Sequence, residues 1–130
     1  MSSALGYLVI FVGGGVGAAA RHAVNRVALA IVGPNYPAGT LFVNVAGSIA
    51  MGLLAGWFAF RGETVTASQR LFLTTGVLGG FTTFSAFALD ATLMWERHDL
   101  WAALLYIGAS VLLSIAGLVG GMLLVRIQLS

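Results

Sequence analysis

Charge is what this chain has least of. Of its 130 residues, 59% are hydrophobic and only 8% are charged, whereas a soluble domain carries about 25% charged residues. So few charges cannot cover a polar exterior, so the exterior expected is lipid and the chain reads as an integral membrane protein. Cysteine is absent, which excludes disulfides and thiolate metal sites. Two histidines, His22 and His98, are too few for a histidine-based metal cluster. The six arginines and four acids leave a net charge of +2. They are scattered along the chain, so no nucleic-acid-binding patch is expected. The opening MSSALGYLVIF lacks the basic region of a signal peptide, so the first apolar run is expected to be retained.

What remains is apolar sequence in long runs. A bilayer is crossed by roughly 20 apolar residues, and four runs meet that length, over residues 5–32, 38–60, 71–95 and 100–125. The first is short up to Ala20 and continues past Arg21 and His22. GPNYPAG holds both prolines and reads as a turn. RGETVTASQR is the only sustained polar stretch, and ERHD is a tight link flanked by Trp95 and Trp101 as interface anchors. The fold class expected is therefore an all-α membrane protein, a single domain of four transmembrane helices. Each helix carries two glycines four apart: Gly13 and Gly17, Gly52 and Gly56, Gly76 and Gly80, Gly117 and Gly121. Such pairs let helix backbones approach where lipid supplies no hydrophobic drive.

Orientation normally follows an excess of Lys and Arg on the cytoplasmic side. With four spans, Arg61, Arg70 and Arg126 fall on one side and Arg21, Arg26 and Arg97 on the other, so the rule picks neither. A chain without preference can insert both ways, and two opposed copies would close into a dimer with a two-fold axis in the membrane plane. The alternative is a fixed orientation set by other factors. Four slim helices enclose little interior, which favours a dimer independently.

Polar groups inside the runs are the candidates for chemistry. In TGVLGGFTTFSAFALD, Gly79 and Gly80 invite a broken third helix near Gly79–Thr82, which would free carbonyls able to coordinate a cation. On a continuous helix Phe81, Phe84 and Phe87 share one face. They are either a packing stripe or a set of ring edges, which are positive and can approach an anion. Tyr106, Ser110 and Ser114 are spaced i, i+4, i+8, a hydroxyl ladder that is either interhelical glue or a pathway. Asn44 either knits helices or meets an ion. Arg21 lies at membrane depth, a functional candidate unless it snorkels at a span end. His22 reads as an interface residue, and Asp90 is the only acid inside a span, toward its end.

Taken in order, a glycine-rich first helix ending in Arg, GTLxVNxxG, GxxGGxTTFSxF and a Tyr–Ser–Ser ladder resemble the Fluc/CrcB family of fluoride ion channels, over essentially the whole chain. The resemblance implies an antiparallel dual-topology homodimer in the cell membrane, of bacterial type, with two pores that pass fluoride out of the cytoplasm and lower its toxicity. It implies no enzyme activity. Its partners would be fluoride, a second copy of itself and the bilayer, with no nucleic acid. Residue by residue, Phe84 and Phe87 match the phenylalanines whose ring edges contact fluoride, and Asn44 matches the pore asparagine. Tyr106, Ser110 and Ser114 match the hydroxyl track. Gly79 and Thr82 match positions whose backbone carbonyls, from both subunits, hold a structural sodium ion (Na+) at the dimer centre. Arg21 matches the basic residue near the vestibule. Three positions depart: Ala86 where the family often has Thr, Asp90 where it often has Glu, and Phe81 in place of a common Leu. The rival reading is a small proton-coupled multidrug exporter, which is also built of four helices. That mechanism needs a membrane-embedded carboxylate, and the first run has none while Asp90 is peripheral.

Overall fold

The computed structural model describes residues 1–130, and its elements are all helical. Helix α1 (Ser3–Val32) opens where the Ser2 hydroxyl accepts the Leu5 N–H at 3.2 Å. It runs unbroken past Arg21 and His22. It ends at Gly33, whose φ of 92° lies in the left-handed region that glycine enters without steric cost. Pro34 and Pro37 follow and cannot continue the helix. Helix α2 (Ala38–Arg61) then leads through a short 3₁₀ turn, Gly62–Thr64.

The third span is not uniform. Thr66 and Gln69 form a capping box that starts α3 (Ala67–Leu71), four residues ahead of the apolar run. A π-helical stretch, Phe72–Leu78, follows, and then α4 (Gly79–Phe81). Thr82 (φ −85°, ψ 157°) and Thr83 (φ −154°, ψ 116°) are extended. The Thr83 hydroxyl then accepts the Ala86 N–H at 3.2 Å and starts α5 (Phe84–Glu96). A tight turn through His98 reaches α6 (Leu100–Leu129). Gly79 itself is helical, at φ −61° and ψ −38°. The chain leaves the helix at the threonines and not at the glycines.

Four stretches are long and apolar enough to cross a membrane: Ser3–Val32, Ala38–Thr64, Ala67–Glu96 and Leu100–Leu129. Only 16 of 130 residues are buried, and large apolar side chains such as Tyr7, Phe11, Leu105 and Ile127 point outward. That is the inverse of a soluble surface and suits a hydrocarbon surround. The chain is a multi-pass membrane protein.

The helices pack mainly as two close pairs, α2 on α6 and α1 on the π-helical stretch with α4. The glycine pairs make both seams. A Cβ at Gly52 would overlap the Leu118 carbonyl, and one at Gly121 would come within 2.7 Å of the Ile49 oxygen. On the other seam a Cβ at Gly17 would overlap the Val77 carbonyl, and one at Gly80 the Gly14 carbonyl. Here glycine is required by backbone approach.

Two neighbours on α6 test this. Gly121→Ala should destabilise the purified protein by about 1–3 kcal/mol, because the methyl meets backbone that cannot yield. Gly120→Ala meets nothing within 4 Å and should be neutral or stabilising by up to roughly 1 kcal/mol. Thermal unfolding of the two variants in detergent separates them, and equal losses would contradict the seam.

Candidate functional site

A cleft of about 410 Å³ lies among α2, the middle of the third span and α6. It brings together Asn44, Gly79, Thr82, Phe84, Phe87, Ser110 and Ser114, from three separate parts of the sequence. Arg21 and Tyr106 lie outside its wall. Phe81 does not line it either.

Each wall has a local cause. On α6, Ser110 and Ser114 are one turn apart and therefore share a face. Ser110 is buried and its hydroxyl has no hydrogen-bond partner. A hydroxyl withdrawn from water and left unpaired is costly. A guest that accepts a hydrogen bond would relieve that cost. On α5 the rings of Phe84 and Phe87 are 5.5 Å apart and inclined at 58°. Phe84 is 79% exposed, so its ring is anchored on one side only.

Asn44 closes the cleft from α2 and does a second task. Its Oδ1 accepts the Thr83 N–H at 2.7 Å, and its Nδ2 donates to the Thr83 carbonyl at 3.0 Å. One amide thus satisfies both backbone groups of a residue that has left the helix. One Nδ2 hydrogen remains, on a residue that lines the cleft.

Arg21 does not snorkel to a span end. Its Nε donates to the Gly80 carbonyl at 3.1 Å, half-buried, across 59 residues of sequence. In an uninterrupted helix that carbonyl would take the Phe84 N–H. The N–H groups that would pair the Gly79 and Thr82 carbonyls in a continuous helix are engaged elsewhere, that of Thr83 by Asn44 Oδ1 and that of Ala86 by the Thr83 hydroxyl. Free carbonyl oxygens at membrane depth are the donor set a hard cation takes in place of its hydration shell.

Tyr106 departs from the other two hydroxyls of its ladder. It is fully buried, and its hydroxyl donates to Asp90 Oδ2 at 3.2 Å. Its ring packs on Phe87 at 5.4 Å and edge-on to Tyr36 at 6.1 Å. A second cleft, of about 360 Å³, is lined by Asn25, Tyr36, Thr40, Asp90 and Arg97 among others. Tyr106 therefore touches a wall residue of each cleft, Phe87 in the first and Asp90 in the second.

The family description "CrcB-like protein, Camphor Resistance (CrcB)" matches residues 8–122 of this sequence. The chain belongs to the CrcB-like family. The "Fluoride-specific ion channel FluC 2" of Nitrobacter hamburgensis is 52% identical over 122 residues, covering 94% of this chain and 98% of that protein. The "Fluoride-specific ion channel FluC" of Methylobacterium nodulans is 55% identical over 122 residues, covering 94% and 97%. The protein of the same name from Caulobacter vibrioides is 47% identical over 119 residues, covering 92% and 94%.

Two further residues position the site of this CrcB-like chain. Thr83 caps α5 and is the group that Asn44 holds. A threonine ahead of the periodic run Phe84–Glu96 is a helix-start signal, so the cap was there to be read. Thr40 is buried beside Tyr106, and nothing in its local sequence marks it.

Proposed function

We propose that this chain is a fluoride-selective channel that passes fluoride out of the cytoplasm passively and so lowers its toxicity. The observation that carries the reading is the cleft in which the unpartnered Ser110 hydroxyl meets Ser114, Asn44 and the rings of Phe84 and Phe87. The relatives named as fluoride-specific channels, alike over nearly the whole chain, support it. Hydroxyl and amide hydrogens replace water around a small, strongly hydrated anion, and ring edges add attraction without a fixed charge. No side chain in the cleft carries a full positive charge. The ion is therefore held weakly enough to leave, as conduction requires. Asn44, Phe84, Phe87, Ser110 and Ser114 form the contact set, and Tyr106 extends the track toward the second cleft.

The working unit in this reading is an antiparallel dual-topology homodimer in the bacterial cell membrane. The balanced arginines and the outward, one-sided anchoring of Phe84 support it. A sodium ion at the dimer centre would be held by the carbonyls of Gly79 and Thr82. The N–H groups that would pair these carbonyls in a continuous helix are engaged elsewhere, and the ion would supply fixed positive charge near the anion path.

Two linked results test the proposal in cells. Expression in a bacterium deprived of its own fluoride export should restore growth in fluoride medium. A C-terminal reporter should be found on both faces of the membrane. Failure of rescue with normal expression would count against the channel, and a reporter confined to one face would defeat the antiparallel dimer.

A further inference from the structure

We propose that Arg21 is a positioning residue, which holds the third span in its interrupted form by taking up the Gly80 carbonyl. The inference rests on the channel reading only for its consequence on flux. The extended pair Thr82–Thr83 removes the helical donors that Gly79, Gly80, Phe81 and Thr82 would otherwise have. In hydrocarbon an unpaired carbonyl is costly, and the simplest remedy for the segment is to run on as a helix, returning the Phe84 N–H to Gly80. Two side chains from other helices oppose that remedy. Asn44 of α2 engages both backbone groups of Thr83, and Arg21 of α1 engages Gly80. The carbonyls of Gly79 and Thr82, whose helical donors Thr83 N–H and Ala86 N–H are engaged elsewhere, line the cleft.

The seam between α1 and α4 makes Arg21 suited to this task. Gly80 sits against the backbone of Gly14 and Ala18, one to two turns before Arg21 on the same helix. The guanidinium therefore reaches the carbonyl from a backbone already fixed beside it. A guanidinium that served only to attract anions would have no need to be tied to a backbone oxygen.

The test compares Arg21→Gln, which keeps an N–H donor without charge, with Arg21→Met, which keeps neither. Two measurements are made on the full-length protein in liposomes or nanodiscs. Hydrogen–deuterium exchange over residues 79–87 reads the state of the segment directly, without reference to any ion. Fluoride efflux across a range of concentrations gives a maximal rate and a half-saturating concentration. The expected result is that Arg21→Met changes exchange over 79–87 and lowers the maximal rate about tenfold or more, the scale of a lost charge-assisted hydrogen bond. Its half-saturating concentration should hold, and Arg21→Gln should stay near wild type in both measurements. The proposal is overturned if exchange is unchanged in Arg21→Met. It is equally overturned if Gln and Met behave alike and only the half-saturating concentration rises, which is the signature of charge. Absence of fluoride flux in the wild type would sink the channel reading instead, and the exchange comparison would still decide the role of Arg21.

Discussion

Phe84→Ile should lower fluoride flux by about tenfold or more, a loss of roughly 1.4 kcal/mol of ion stabilisation along the path, with no loss of protein stability. Isoleucine keeps bulk and hydrophobicity and removes the ring edge, so the substitution isolates the electrostatic contribution. Phe84 is the cleaner of the two positions because its ring is 79% exposed and packs on Phe87 alone among the aromatics. Phe87→Ile should suppress flux as strongly but also lower stability, since that ring packs at a tilt against buried Tyr106, 5.4 Å between centroids. Efflux from liposomes, with thermal unfolding as a control, separates the contributions. Unchanged flux in both variants would remove the rings from the mechanism.

Asn44→Ala should have the second large effect, and on a different property. It would leave the Thr83 N–H and carbonyl both unpaired, at a cost of about 1–3 kcal/mol for each group. The expected outcome is a strongly lowered unfolding midpoint together with loss of flux. Asn44→Asp keeps an acceptor for the Thr83 N–H and loses the donor to its carbonyl, so it should fall between the two. A stable Asn44→Ala protein that conducts poorly would instead assign Asn44 wholly to the ion and contradict the clamp.

The packing of the helices was legible in the sequence, and the polar contacts only in part. Glycines four apart lie on one face of any α-helix, so both seams follow from spacing within single helices. The phenylalanine stripe holds only under a related condition. Counting Phe81, Phe84 and Phe87 onto one face assumed a continuous helix, and the extended Thr82–Thr83 pair resets the phase, so only the latter two line the cleft. The hydroxyl ladder divided as well. Ser110 and Ser114 keep their hydroxyls near the backbone and meet the cleft, whereas the long tyrosine side chain carries its hydroxyl away to Asp90. Asn44 could be recognised as a buried amide that needs partners. Its partner Thr83, and the Gly80 carbonyl that meets Arg21, lie 39 and 59 residues away, where only the fold brings them together. The glycines at 79 and 80 read as weak points because glycine disfavours helix interiors. In the structure Gly80 lets α1 come close and the threonines turn the chain.

The most direct measurement reconstitutes the purified protein in liposomes and follows fluoride and chloride efflux with ion-selective electrodes. The account predicts rapid fluoride efflux with chloride retained, because the cleft offers hydrogen-bond donors and ring edges set closely enough for the smaller ion. Chloride efflux equal to that of fluoride, or no efflux of either ion, would contradict it.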